Sequence, residues 1–240
     1  MESDQPPRIL IVLHQATSSP GRIGRMLVEK GYALDIRRPP LGEPLPVTME
    51  DHKGVVIFGG PMSANDPEDF VKREIDWCGI PLDEKAPFFG ICLGAQMLVK
   101  HLGGDVTAHA EGMAEVGYYR VHDLRTDTTN AVMPPAASHF YQWHREGFTI
   151  PRGTELLMKG DIFENQAFSV GPAAFGVQFH TELTLAMHYR WLIRGFERTR
   201  MPGAQGRREH LEGRLLYDAA IARWLDAFLD NWLAADPRAA

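Results

Sequence analysis

At 240 residues, 44% hydrophobic and 23% charged, the chain has the size and composition of one large α/β domain with a full core. A formal net charge of −6 and the lack of any Lys/Arg cluster argue against a nucleic-acid partner. No apolar run approaches the roughly 20 residues of a membrane span, and the acidic first five residues do not read as a secretory leader. Cys78 and Cys92, with no Cys-x-x-Cys spacing, indicate neither a disulfide framework nor a zinc knuckle, so a reducing, cytoplasmic setting is expected.

Arg8–His14 is a continuous apolar run, as expected of a central parallel strand covered on both faces. Ser19 and Pro20 read as N-cap and first helical position of a helix that turns Ile23, Met26 and Leu27 inward and stops at Gly31. Tyr32–Ile36 reads as a second strand, and the proline-rich Arg37–Lys53 as a connecting loop near the surface. Gly54–Phe58 is a buried strand ending in Gly59-Gly60-Pro61, where a ligand can approach the backbone at a strand's carboxyl end, although a simple tight turn explains the same residues. Pro67–Cys78 has helical periodicity, with Phe70, Val71, Ile75 and Cys78 towards the core, which makes Cys78 structural.

The stretch Pro87–Ile91 is a buried strand that turns sharply at Cys92 into a helix from Leu93 to Leu102. Gly90 and Gly94 give that turn room, so Cys92 sits as the serine does in a G-x-S-x-G nucleophile elbow. The helix that follows offers its positive end to a thiolate and to a developing oxyanion. Beyond Asp105, the segments Val106–Ala110, Glu115–Val121, Thr154–Met158 and Gln166–Val170 read as short strands of an antiparallel or mixed extension. Between them Ser138–Glu146 is dense in groups that can line a pocket, among them His139 and His144.

Ala173–Phe179 is strand-like and runs into His180-Thr181-Glu182, where residues two apart point the same way in extended backbone. Leu185–Phe196 continues as a helix, Met201–Gly206 interrupts, and a long amphipathic helix spans Arg208–Ala234. Its apolar stripe of Leu211, Leu215, Ala222, Leu225, Leu229 and Trp232 is expected to pack on the same domain, with a dimer or partner contact as the alternative.

Thiol catalysis needs a thiolate, a proton donor or base beside it, and a group that fixes the imidazole. Cys92, His180 and Glu182 are those three types, and the backbone amides of Gly60 and Leu93 are candidate oxyanion donors. A metal shell of Cys92, His144, His180 and Glu182 is the competing reading; no second sulfur or paired-histidine motif accompanies it, so no metal and no cofactor is expected.

Three ordered motifs carry a resemblance: Gly59-Gly60-Pro61, Gly90-Ile91-Cys92-Leu93-Gly94-Ala95-Gln96, and Gly176-Val177-Gln178-Phe179-His180-Thr181-Glu182. Together they resemble a class I, triad-type glutamine amidotransferase, over about residues 8 to 198, and are most similar to stand-alone proteins like the glutaminase domain of GMP synthetase. The resemblance implies an open, mostly parallel, flavodoxin-like sheet with helices on both faces, a small antiparallel extension and C-terminal helices. Residues 8–198 would form the catalytic domain and 199–240 a helical extension packed on it.

The same resemblance implies that Cys92 attacks a glutamine side-chain amide to give a γ-glutamyl thioester and ammonia. His180 would shuttle protons, Glu182 orient it, Gly60 and Leu93 hold the oxyanion, and Gln96 hold substrate. Two positions depart from the pattern: Thr181 stands where proline is common, and Glu146 where an aspartate is usual. The expected partners are glutamine or another γ-glutamyl compound and a synthetase acting in trans, because no phosphate-cradling loop follows in this chain. A γ-glutamyl peptide hydrolase without such a partner is the alternative, and a non-catalytic regulatory protein that keeps the fold is the third reading.

Overall fold

The computed structural model describes residues 5–125 and 131–239. Its first half alternates strand and helix: β1 (Arg8–Val12), α1 (Gly21–Glu29), β2 (Ala33–Arg37), β3 (Gly54–Ile57), α2 (Asp69–Trp77), α3 (Gly79–Asp83), β4 (Phe88–Ile91) and α4 (Leu93–His101). Seven strands follow: β5 (Val106–Ala108), β6 (Glu115–Asp123), β7 (His139–His144), β8 (Glu146–Phe148), β9 (Glu155–Gly160), β10 (Asn165–Val170) and β11 (Ala174–Val177). Helices α5 (Leu185–Arg194) and α6 (Arg207–Ala234) come last, with a 3₁₀ segment, Phe196–Arg200, between them.

Nine strands form one sheet in the order β2-β1-β3-β4-β11-β10-β9-β6-β7. The β2-β1-β3-β4-β11 half is parallel, whereas β10, β9, β6 and β7 pair antiparallel with their neighbours. Strands β5 and β8 make a separate two-stranded antiparallel sheet. The expected fold class holds: a largely parallel core with helices packed on it and an antiparallel extension.

Period-two alternation splits the apolar run of β1 between two cores, as a strand covered on both faces requires. Ile9 and Ile11 face a cluster with α1 and α6, while Leu10 and Val12 face one with α2 and α4. Helix α6 therefore closes one side of the parallel sheet: Phe228 packs 4.6 Å from the Phe89 ring, and Trp232 donates to the Ala173 carbonyl at 3.1 Å.

Two expectations are corrected, and Ser138–Glu146, which contributes Trp143, His144 and Glu146 to the pockets as expected, gains strands that its pattern did not mark. Ser19 does not cap α1, whose N-cap is Pro20 without a side-chain bond. That helix start docks instead on the Glu182 carbonyl, which accepts from Arg22 N–H at 2.8 Å, and Gly21 adopts a positive φ to allow the contact. Ser138–Glu146 is mostly strand, β7 and the start of β8; both faces of β7 are covered, which erases the alternation that marks a half-buried strand. Leu215 on α6 is 86% exposed. Leu225, Leu229 and Trp232 of the expected stripe are buried, and the seam continues through His210, Gly213, Ile221, Trp224 and Phe228, because the helix crosses β6 with Gly213 against the Tyr118 ring.

Candidate active site

The carboxyl ends of β1, β3, β4 and β11 converge on one edge, delivering His14, Gly59-Gly60, Cys92 and His180. Cys92 holds φ 51° and ψ −105°, a conformation that costs a non-glycine residue about 1–3 kcal/mol and persists only where the surroundings impose it. They do so here. A side chain at Gly94 would lie 2.2 Å from the Ile57 carbonyl oxygen, and one at Gly90 would lie 2.7 Å from the Gly94 carbonyl carbon. Cys92 N–H donates to the Val177 carbonyl at 2.8 Å, tying the turn to β11. Cys78, by contrast, is buried and points its thiol at the Glu74 carbonyl, and burial pushes its pKa well up, as a structural cysteine requires.

His180 Nδ1 donates to Glu182 Oε1 at 2.7 Å, and both side chains are almost wholly buried. Burial disfavours the imidazolium, yet the Glu182 charge, together with contacts to Cys92 and Glu182, outweighs it and raises the pKa to about 10. Among the described residues Nε2 has no well-aligned hydrogen-bond partner, and the Cys92 thiol is near enough to contribute to that shift. Trp191 meets the imidazole edge-on at 4.9 Å between centroids and limits its rotation. Thr181, at the position where proline is common, is fully buried, and among the described residues its hydroxyl has no hydrogen-bond partner.

Gly60 and Leu93 flank the thiol, as a side chain at Gly60 would lie 2.9 Å from Leu93 Cδ2. A buried pair at the end of β1 sets the Gly59–Gly60 peptide. His14 Nδ1 donates to the Gly59 carbonyl at 3.2 Å, while Nε2 pairs with Glu74 Oε1 at 2.8 Å. Burial opposes a charge on His14, but Glu74 overrides it and the pKa lies above the usual value. In a planar trans peptide the carbonyl and the next N–H point opposite ways, so a Gly59 oxygen held towards His14 turns the Gly60 N–H away from it. Neither His14 nor Glu74 carries a local sequence signal for this role.

Gln96 is buried, and its amide nitrogen donates to the Glu146 carbonyl at 3.0 Å and to Gln178 Oε1 at 3.2 Å. It lines a narrow cleft with Cys92, Leu93 and Gly60. Glu146 has two separate tasks: its carbonyl also accepts from His144 Nδ1 at 2.9 Å, and its carboxylate accepts from the Ser63 hydroxyl at 3.1 Å. His144 reaches Glu115 Oε2 through Nε2 at 2.9 Å, which commits it to a buried network rather than to the thiol.

A larger cavity of about 270 Å³, which shares Gly60, Cys92, Trp143 and Arg198 with that cleft, includes His180 and Glu182. Its wall contains Trp143, Trp191 and three arginines that sequence reasoning missed: Arg190, Arg194 and Arg198. Their signal was available as an arginine at every fourth position from 190 to 198. With an activatable thiol, an imidazole held by a carboxylate, and flanking backbone amides, the arrangement suits acyl transfer from a carbonyl carbon through sulfur.

Residues 18–198 match the family described as Glutamine amidotransferase class-I. The glutamine amidotransferase-like protein YfeJ of Salmonella typhimurium is 26% identical over 74% of this chain and 77% of its own length. A glutamine-hydrolyzing GMP synthase subunit of Methanocaldococcus jannaschii is 31% identical over 60% of this chain and 72% of its own. Among solved structures, a glutamine amido transferase from Methylobacillus flagellatus superposes with a TM-score of 0.87 at 25% identity, covering 96% of this chain and 95% of that one. A glutamine amidotransferase from Thermotoga maritima gives 0.84 at 29% identity, covering 95% and 99%. Family match and fold agree over the segment that holds the ends of β3, β4 and β11: the chain belongs to the class I glutamine amidotransferases.

Proposed function

We propose that this protein hydrolyses the side-chain amide of glutamine, or of a related γ-glutamyl compound, through a γ-glutamyl thioester on Cys92. Residues 8–198 would be the catalytic unit and 199–240 a helical extension of it. The observation that supports the reading most is the 2.7 Å His180–Glu182 contact beside a cysteine in a strained strand-to-helix turn. In this scheme the Cys92 sulfur attacks the amide carbon, while the Gly60 and Leu93 N–H groups receive the oxyanion. Gln96, in the narrow cleft beside the sulfur, would help hold the substrate.

With a pKa near 10 the His180 imidazolium is the resting form at neutral pH, so it acts first as an acid, protonating the departing nitrogen. The neutral ring then takes a proton from water, which opens the thioester to release glutamate. The nitrogen released from glutamine is ammonia, and its destination would be a synthetase acting in trans. A cytoplasmic setting completes the proposal, because both cysteines are free thiols and the chemistry needs Cys92 reduced. Among the described residues no helix is long and apolar enough to cross a membrane.

The test is glutamate release from glutamine by the purified chain, together with labelling by a glutamine-like chloroketone. Labelling confined to Cys92, and loss of both signals in Cys92→Ala, is the expected result. Full hydrolytic activity in Cys92→Ala or in His180→Ala removes the mechanism.

A further inference from the structure

A continuous series of hydrogen bonds runs from the antiparallel half of the sheet to the narrow cleft beside Cys92. Gln142 on β7 donates to Gln166 Oε1 on β10 at 2.6 Å, and Gln166 donates to Glu115 Oε2 on β6 at 2.9 Å. Glu115 and His144 stand directly opposite each other in the β6–β7 ladder, and His144 Nε2 meets that same carboxyl oxygen at 2.9 Å. His144 Nδ1 then donates to the Glu146 carbonyl at 2.9 Å. The series ends on Gln96, whose amide nitrogen donates to the same carbonyl at 3.0 Å and to Gln178 Oε1 at 3.2 Å. Gln142, Gln166, Glu115, His144, Gln96 and Gln178 are all buried.

The direction of the bonds at the cleft end follows from the Glu146 carbonyl, which can only accept. His144 therefore carries a proton on Nδ1, and Gln96 presents its nitrogen rather than its oxygen. The second N–H of Gln96 goes to Gln178, so both donors of that amide are used inside the protein. Its Oε1 has no partner among the described residues and is not sealed from solvent, so it is the atom Gln96 offers to the cleft. Glu115 sets the state of His144 from the far side. With Nδ1 fixed as a donor, the contact between Nε2 and Oε2 needs one proton shared between ring and carboxyl group. Phe163 meets the same ring edge-on at 4.7 Å between centroids. Replacing a buried ionic pair by apolar side chains of similar volume is often neutral for stability, so the fold alone gives little reason for this one. What the pair supplies is a single orientation of the imidazole, passed through the Glu146 carbonyl to Gln96.

We infer that Glu115 and Gln178 are positioning residues for substrate binding, which between them fix the Gln96 amide with its nitrogen inward and its oxygen towards the cleft. Glu115 acts through His144 and the Glu146 carbonyl, whereas Gln178 holds the second N–H directly. Neither Glu115 nor Gln178 lines the cleft or the larger cavity. The inference rests on the thioester reading above, in which Gln96 helps hold the substrate. An acceptor already held in place lowers the ordering cost of binding. Its loss is felt equally in the ground state and the transition state, which assigns the effect to KM rather than to kcat.

The experiment measures kcat and KM for glutamine on the full chain carrying Glu115→Gln or Gln178→Met, each alone and combined with Gln96→Ala. Both substitutions nearly conserve side-chain volume, and near-UV circular dichroism checks the fold of each variant. Each is expected to raise KM about tenfold, the worth of one buried hydrogen bond, with kcat within about threefold of the native value. In the Gln96→Ala background the same substitutions should change KM by less than about twofold, because residues acting through one group are not additive. A rise in KM of equal size in both backgrounds overturns the inference, as does an unchanged KM or a fall in kcat at constant KM. Should Glu115→Gln fail to fold, the cycle of Gln178→Met with Gln96→Ala decides by the same criteria. Chloroketone labelling of native Cys92 separates the two readings. Labelling together with an additive or unchanged KM removes the positioning role alone, whereas neither labelling nor hydrolysis in the native protein removes the thioester reading and this inference with it.

Discussion

In the proposed mechanism a histidine already protonated at neutral pH makes Glu182 more than an orienting group. The carboxylate is what outweighs burial, so Glu182→Gln should let His180 lose its proton at a lower pH. The alkaline limb of the kcat/KM profile is then expected to move down from near pH 10. At pH 8 the rate should fall by about a hundredfold or more, within the range of general acid–base contributions. An unshifted alkaline limb would mean that another group titrates there. The His14–Glu74 pair acts one step further from the sulfur, through the Gly59 carbonyl. Glu74→Gln keeps the shape but removes the charge that holds His14, so the Gly60 N–H should be less firmly aimed. That predicts a fall in kcat of about tenfold with KM nearly unchanged, because an oxyanion donor acts mainly in the transition state. A rise in KM alone would make the pair part of substrate binding.

At the scale of elements, the turn at Cys92 depends on what packs beneath it. Strand β4 is covered by α6, where Phe228 meets Phe89, Phe175 and Trp224 in one aromatic cluster. Phe228→Ala is expected to cost about 3–5 kcal/mol, read as a lowered urea midpoint with an unchanged slope. A loss below about 1 kcal/mol would show that α6 is not an integral wall of the core. The strands and helices that carry Cys92, His180 and Glu182 were legible because each joins an unbroken apolar run to a glycine or histidine break. Strand β7 was not, since Phe140, Tyr141 and Gln142 are buried on both faces and leave no alternation. A stripe counted by its leucines finds the buried face of α6 at Leu225 and Leu229 but misses it in the N-terminal half. In that half the helix packs through His210 and Gly213 rather than through leucines, so Leu215 falls outside the buried seam. Pairings that join distant segments, such as His14 with Glu74, have no local pattern at all.

Across the whole molecule, two sets of buried histidines pull stability in opposite directions with pH. His188 and His210 lie in an aromatic cluster with Tyr141. Burial lowers both to about 4, reinforced at His188 by His210 and Arg214 and opposed at His210 by nearby acceptors. The unfolded chain binds protons at these histidines below about pH 6.5 while the folded chain does not, so stability falls as pH drops from 6.5 towards 4. His180 has the reverse sign. Its folded pKa of about 10 stabilises the native state fully below pH 6.5, and that contribution is lost as pH rises through 10. The melting temperature should therefore peak near pH 6.5 and decline on both sides. Carboxylates also titrate at low pH, but mostly below pH 5, so the interval from 6.5 to 5 isolates the histidines. His188→Met keeps an apolar side chain in the cluster, removes one proton site and should flatten that interval. Glu182→Gln should make the decline between pH 6.5 and 8 shallower, while His14 and the buried Cys78 and tyrosines still lower stability at higher pH. A melting temperature that rises steadily from pH 6.5 to 5 in the native protein would mean that these histidines are open to water and take up protons without unfolding.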